Sequence, residues 1–212
     1  MSRFVVLLGG ALFLTKRLER QVSGARAIAA DSGMAHAEAL GLDVELWVGD
    51  FDSTGEELAR RYGSIMRQTH PPAKDLTDGE LAVKAALARG ATEIVLVGAF
   101  GGQTDHMLGH AGLALGLARA GHETFLTSGR EEAYPILPGR RDVNLPAETR
   151  FSIIPFSDIE GLDLENVRWP LSRRDVRLGS TLTLSNVALG TVTIGVMRGY
   201  GLAVAYPNED LA

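Results

Sequence analysis

The 212-residue sequence contains no cysteine. Disulfides and thiolate metal sites are therefore excluded, and a cytoplasmic protein is the expectation. Basic charge is not in excess either: Lys and Arg number 21 against 26 Asp and Glu, a formal charge of -5, with no long basic run. Neither nucleic acid nor a membrane surface is then expected as the main partner, and an anionic ligand would need locally placed cations. Long hydrophobic runs are also missing. The apolar start RFVVLLGGALFL is broken by a glycine pair and followed by TKRLER, too short and too interrupted to span a membrane. No internal repeat or low-complexity tract is present. What is there is a chain 45% hydrophobic, enough for a sizeable core in one large domain or two small ones.

Strand-like runs FVVLL, AIAA, VELWV, SIMRQ, EIVLV and ETFLT alternate with Ala/Leu-rich helical stretches AEAL, EELARRY, ELAVKAALAR and MLGHAGLALGLARA. That alternation predicts βα units on a Rossmann-like, mostly parallel sheet. Beyond Ser128 the helices vanish. There RFSIIPF, STLTLSN, VTIGVM and GLAVAY sit between Gly, Pro and Asn turns, the texture of an antiparallel β-sandwich. The expected fold class is α/β plus all-β. A boundary within 128–140 divides the chain into an α/β domain over 1–130 and a sandwich domain over 131–212.

Four of the expected parallel strands end in glycine, aspartate or both. FVVLL runs into Gly9-Gly10, AIAA into Asp31-Ser32-Gly33, VELWV into Gly49-Asp50-Phe51-Asp52-Ser53, and EIVLV into GAFGGQTDH. Parallel sheets bind ligands at the carboxyl ends of their strands, so these endings should converge on one crevice. In an extended segment Asp50 and Asp52 point to the same side, and paired carboxylates repel unless a proton or cation lies between them. An oxygen-only cluster completed by water and phosphate is the usual environment of Mg2+. A second acidic element, HPPAKDLTDGELA, offers Lys74 as a cation and places Asp75 and Asp78 around Thr77 at the mouth of a helix. In the third, GAFGGQTDHMLGH, glycines admit close approach of a ligand and Asp105-His106 opens a helix, a natural phosphate seat. A plainer reading covers part of this pattern. STGE and TDGE both match a capping box, and acids at a helix start suit its dipole. Capping explains neither Asp50 nor Asp75. His106 and His110, one turn apart, read as helix packing or capping before they read as a metal pair, since no third nitrogen ligand is placed nearby.

Asp31, GDFDS, KDLTD and GGQTDH, in this order and spacing, closely resemble the thiamine pyrophosphokinase family. In the second half GLDLENVRWPL resembles that family's turn and Trp-Pro-Leu segment, TLTLSN its Ser-Asn strand, and GYGLAVAY its closing hairpin, so the resemblance covers nearly the whole chain. It implies transfer of a pyrophosphoryl group from ATP to the thiamine hydroxyl, giving thiamine diphosphate and AMP. It implies a homodimer, with ATP and Mg2+ on the α/β domain and thiamine held between that domain and the sandwich of the partner subunit. By the same resemblance Asp50, Asp52, Asp75 and Asp78 hold Mg2+ and place substrates, with Asp78 or Asp105 close enough to orient or deprotonate the alcohol. Gly10, Asp31, Gly33, Ser53, Lys74, Gly101, Gly102, Gln103 and His106 then bind ATP. Trp169, Ser185 and Asn186 map near the thiamine pocket, where an aromatic face and hydrogen-bonding groups suit a flat cation. The plainer alternative for Trp169 is sandwich core.

The sequence also departs from that pattern. Gln103 stands where the third motif carries Arg, exchanging a charged fork for a neutral amide. Ser32 alters the first glycine pair, and Val187 follows Ser185-Asn186 where an acid is common. Two other readings therefore stay open: a pyrophosphokinase for another heterocyclic alcohol such as a hydroxymethylpterin, and a non-catalytic thiamine or nucleotide binder.

Overall fold

The computed structural model describes residues 2–51, 55–70 and 75–207. Its first half holds strands β1 (Arg3–Leu7), β2 (Arg26–Ala30), β3 (Val44–Gly49), β4 (Arg67–Thr69), β5 (Glu93–Val97) and β6 (Glu123–Thr127). All six run parallel, in the order β6-β5-β1-β2-β3-β4. Between them lie helices α1 (Lys16–Val22), α2 (Glu56–Arg61), α3 (Asp78–Ala88) and α4 (Thr104–Arg119), together with a 3-10 helix over Asp31–His36. The central strands are buried on both faces, which is why they appear in the sequence as unbroken apolar runs. Phe4, Val6, Ile28, Leu46, Ile94 and Leu96 pack with α3 and α4 on one side. On the other, Val5, Leu7, Ala29, Trp47 and Val95 meet Leu18 and Val22 of α1 and Met34 of the 3-10 helix. The chain leaves β1 toward β2 and later returns to β5 on the opposite side of β1. This switch in direction opens a crevice at the carboxyl ends of β1 and β5.

The second half contributes β7 (Glu132–Ile136), β8 (Gly139–Val143), β9 (Arg150–Pro155), β10 (Ile159–Val167), β11 (Leu171–Val176), β12 (Asn186–Val196) and β13 (Gly201–Tyr206). β7 pairs antiparallel with β6 and is followed outward by β13 and β9, so the first sheet continues without a break. β12 pairs with β9 only through Asn186 and Val187, then crosses into a second layer between β10 and β8. The shared strands serve two cores by their period-two alternation. Ala133 and Leu202 face the core beneath α4. Their neighbours Tyr134 and Ala203 turn instead to Leu162, Leu164, Val192 and Ile194 of the second layer. The α/β sheet and the antiparallel sandwich expected from the sequence are both present.

Some local expectations do not hold. The expected helix AEAL is a turn after the 3-10 helix, closed by Gly41 at φ +60. STLTLSN is not a strand up to Ser185: 182–185 form turns and bends, Thr183 is tied to Ile153 by two hydrogen bonds of 2.7 and 3.1 Å, and Ser185 lies at φ 62, so that only Asn186 enters β12. The Ser53 cap falls outside the described residues, and α2 starts at Glu56 with Gly55 as its N-cap. TDGE supplies the Thr half of the box, with Thr77 Oγ1 accepting from Glu80 N at 3.2 Å, while the Glu80 carboxylate pairs with Lys84 at 3.4 Å.

A polar knot joins α1 to β7. Glu132 is fully buried, and its carboxylate receives Arg17 Nε at 2.6 Å, Arg17 Nη2 at 2.9 Å and Gln21 Nε2 at 2.6 Å, with the Tyr134 hydroxyl donating as well. Burial alone pulls the Arg17 guanidinium down, but the Glu132 carboxylate outweighs it and holds the group above its usual value. Burial, reinforced by the same carboxylate, pushes the Tyr134 phenol up. A pair this dry is costly to break from one side. Arg17→Ala should destabilise the chain by about 3–5 kcal/mol in urea unfolding, and removing both charges in Arg17→Met with Glu132→Leu should recover much of that loss.

Candidate functional site

The crevice at the switch point has a volume of about 510 Å³. Its floor is made by backbone in close approach. Gly10 N donates to Gly98 O at 2.9 Å and Ala11 N to Phe100 O at 2.6 Å. A Cβ on Gly10 would lie 2.2 Å from Phe100 O and 2.4 Å from Gly98 O, so only glycine fits there. His36 reaches Gly10 O through Nε2 at 2.9 Å and pins the loop from the other side.

Acidic residues enter from three strand or helix ends. Asp31 follows β2 at φ 44, a left-handed conformation that Asp tolerates better than most residues, and Trp47 Nε1 fixes it by donating to its carbonyl at 2.8 Å. Asp50 follows β3 directly, and Asp78 is the first residue of α3. Asp31, Asp50 and Asp78 all line the crevice, beside the hydroxyl-bearing Ser32 and Thr77. Among the described residues no Lys or Arg lines it. The positive contribution comes from helix ends: Thr77, Asp78 and Gly79 open α3, while Gly102 and Gln103 lead into α4. First-turn amides lack partners within their own helix and carry the positive end of its dipole. Gln103 is the N-cap of α4 and makes no side-chain capping bond there.

His106 and His110 also line the crevice, with ring centroids 6.2 Å apart and edge to face. Burial pushes the His110 imidazolium down and the neighbouring His106 adds to this, against an opposing hydrogen bond to Ala99 O. His110 packs toward the mouth of α3, its Nε2 3.5 Å from where a Cβ on Gly79 would lie. The helix-packing reading fits His110; His106 is exposed on the crevice wall.

Of the residues named from sequence, Gly10, Asp31, Asp50, Asp78, Gly102, Gln103 and His106 come together here. Gly33 and Gly101 support the walls from behind: a Cβ would meet Leu7 O at 2.2 Å in one case and Ala11 Cβ at 2.5 Å in the other. Asp75 and Asp105 are exposed and do not line the crevice, and Asp105 Oδ1 accepts from His106 N at 2.9 Å. Asp52, Ser53 and Lys74 lie outside the described residues. Trp169, Ser185 and Asn186 belong to the sandwich and do not line the crevice of their own chain. Trp169 is 56% exposed, so it is not sandwich core. Asn186 is buried and holds the Trp169 backbone on both sides, accepting from its N–H at 3.2 Å and donating to its carbonyl at 2.8 Å. Among the lining residues given no binding role from sequence, Ser32 and His110 had readable signals, a strand end and an i,i+4 spacing; Ala99 and Met107 had none.

Two family models match: "Thiamin pyrophosphokinase, catalytic domain" over residues 21–126 and "Thiamin pyrophosphokinase, vitamin B1 binding domain" over residues 141–200. The chain belongs to the thiamin pyrophosphokinase family. Thiamine pyrophosphokinase of Bacillus subtilis is 34% identical over 142 residues, a match spanning 65% of this chain and 66% of that relative. The crystal structure of thiamine pyrophosphokinase from Bacillus subtilis superimposes with a TM-score of 0.85 at 25% identity, covering 98% of this chain and 100% of the other. Thiamin pyrophosphokinase from Candida albicans shares the fold at a TM-score of 0.80 with 12% identity, over 97% and 89% of the two chains. Within this thiamin pyrophosphokinase frame, the first match ends on β6 and the second begins on β8.

The glycines of the floor separate two roles. Gly10→Ala should cost about 1–3 kcal/mol in urea unfolding, because backbone must move. Gly102→Ala, whose nearest obstacle is Gly10 Cα at 3.6 Å, should stay within about 0.5 kcal/mol of wild type.

Proposed function

We propose that the chain is an ATP-dependent thiamine pyrophosphokinase, forming thiamine diphosphate and AMP. The observation that carries this reading is a crevice at the switch point lined by Asp31, Asp50 and Asp78, faced by two helix N-termini and, among the described residues, lined by no basic side chain. A polyphosphate beside three carboxylates is repelled unless a cation lies between them. The donor set fits Mg2+: carboxylate and hydroxyl oxygens, no sulfur, and room for phosphate oxygens to complete the shell. No group of three His, Asp or Glu among the described residues forms a ready metal cage. A cation there would be held by one or two carboxylates together with the substrate's own phosphates. Asp50 and Asp78, which line the crevice, would hold it, with Asp52 the further carboxylate expected from the resemblance; Asp75 is not carried forward as a ligand, since it does not line the crevice. When bound, the cation would neutralise charge on the phosphate oxygens.

The chain's own groups supply the rest. Gly10, Gly98 and Gly102 admit the phosphates close to backbone, and first-turn amides of α3 and α4 donate to them. Gln103 hydrogen-bonds as a neutral amide. Of the two carboxylates considered for the alcohol, Asp78 lines the crevice and Asp105 does not, so Asp78 accepts the hydrogen bond from the thiamine hydroxyl. Thiamine stacks on exposed Trp169, held outward by Asn186. Leu182, Leu184, Leu189 and Met197, exposed on β12 and its flanks, give a second copy apolar surface to cover. Its crevice then meets this Trp169 across a two-fold axis.

Purified protein with ATP, Mg2+ and thiamine should yield AMP and thiamine diphosphate in equal amounts, and chelation should abolish both. A hydroxymethylpterin should give no AMP; AMP formed with the pterin alone would replace this reading by the other pyrophosphokinase. Asp78→Asn should lower kcat by about a hundredfold or more while leaving unfolding curves near wild type.

The shared site has its own test. Asp50→Asn and Trp169→Ala, each inactive alone, should regain activity when mixed under conditions that exchange subunits. About half of the dimers then pair one of each by random assortment, and each such dimer carries one intact site. No recovery despite proven exchange, or an active monomer by light scattering, would show that each chain builds its own pocket.

A further inference from the structure

Two of the crevice carboxylates stand beside backbone in the left-handed region. Asp31 itself lies at φ 44, and Asp50 is followed directly by Phe51 at φ 63. Asp tolerates that conformation, whereas a bulky aromatic rarely adopts it. If the chain needed only a change of direction after Asp50, glycine or asparagine would serve at lower cost. A strained backbone beside a site points to a use for the side chain that imposes it. Phe51 does not line the crevice, so its ring acts elsewhere.

The contacts of that ring lead to one residue. Phe51 is half-buried against the core on the α1 face of the sheet, its ring centroid 5.0 Å from that of Trp47 and edge to face at 87°. Trp47 is fully buried on β3. Arg67 of β4 lies over both rings, its Cζ 4.8 Å from the Trp47 centroid and 5.2 Å from that of Phe51, with Nη2 donating to Ala59 O at 2.9 Å. The same indole holds the other acid, since its Nε1 donates to Asp31 O at 2.8 Å. Asp31 in turn lies against the end of β3: its Cα and Oδ1 stand 3.4 and 3.5 Å from where a Cβ on Gly49 would be. Asp50 is therefore set between two fixed points, Gly49 packed on Asp31 and Phe51 packed on Trp47.

We infer that Phe51 is a positioning residue, whose side chain anchored on Trp47 holds the left-handed turn that presents Asp50 to the crevice in register with Asp31. This role rests on the reading of the crevice as a site for Mg2+ and a nucleotide. One rigid indole then supports two carboxylates, one through its N–H and one through its ring. Mg2+ demands near-ideal octahedral geometry, so a small drift of Asp50 costs affinity.

Calorimetric titration of the full chain with Mg2+ and the α,β-methylene analogue of ATP, which cannot transfer a pyrophosphoryl group, reads that placement without turnover. Phe51→Asn and Phe51→Gly suit the left-handed turn but lack the anchor, and each should raise the Kd by about tenfold at unchanged stoichiometry. Either variant suffices if the other fails to fold. Phe51→Leu keeps an apolar anchor and should stay within about threefold of wild type. A purely structural role would instead lower the number of sites per chain through loss of folded protein and leave the Kd of the remainder at the wild-type value. Turnover is read separately: wild type that binds the analogue yet forms no AMP from ATP and thiamine would overturn the transfer reading alone. A wild-type Kd in Phe51→Asn or Phe51→Gly, or a loss in Phe51→Leu as large as theirs, overturns the positioning role.

Discussion

The contact between the ends of β1 and β5, where Gly10 N donates to Gly98 O at 2.9 Å, sets the geometry of the whole carboxyl edge of the sheet. It depends on Gly10 having no side chain and on Gly98 at φ 75, where Leu8 O stands 2.3 Å from the position a Cβ would take. With the backbones drawn together, the loops after β2 and β3 and the starts of α3 and α4 converge on the same side. A wider separation of β1 and β5 would leave the same acids on the surface as separate helix-capping features. The requirement thus runs from one hydrogen bond to the existence of a crevice.

The electrostatics of that crevice follow from what surrounds it. Asp31, Asp50 and Asp78 face helix ends that supply partial positive charge through amides, and among the described residues no lysine or arginine shares the space. Helix dipoles are worth a few tenths to about 1 kcal/mol each, too little to offset three carboxylates and a polyphosphate together. Gln103, the N-cap of α4, is a neutral amide and adds no charge to this balance. The burial of His110 works in the same direction, since it keeps that imidazole from adding positive charge.

How much of this was legible in the sequence varied with the physical signal. The central strands announced themselves because burial on both faces demands unbroken apolar runs such as FVVLL and EIVLV. The strand-end acids did so because nothing in a core requires them. β8 (GRRDV) and β11 (LSRRDV) were invisible: both are mostly exposed, so their polar side chains carry no alternation to read. STLTLSN misled for the opposite reason. It alternates like a strand, but Thr183 directs its hydroxyl to Ile153 O and Ser185 adopts a positive φ, so the alternation reflects a tethered turn. The roles of Asp105 and Asn186 turned on direction, which spacing alone does not encode. Asp105 faces its own helix start, and Asn186 gives both ends of its amide to the Trp169 backbone.

Asn186 also marks where β12 leaves the first sheet. It pairs with Phe151 of β9, and from Ala188 onward β12 belongs to the second layer. The amide that anchors this change of layer is the one that clamps Trp169 N and O, so the indole is carried outward by the same turn that makes the sandwich. The ring is exposed while its backbone is held on both sides by Asn186. The backbone of this exposed ring is thus held at the point where the two layers are joined.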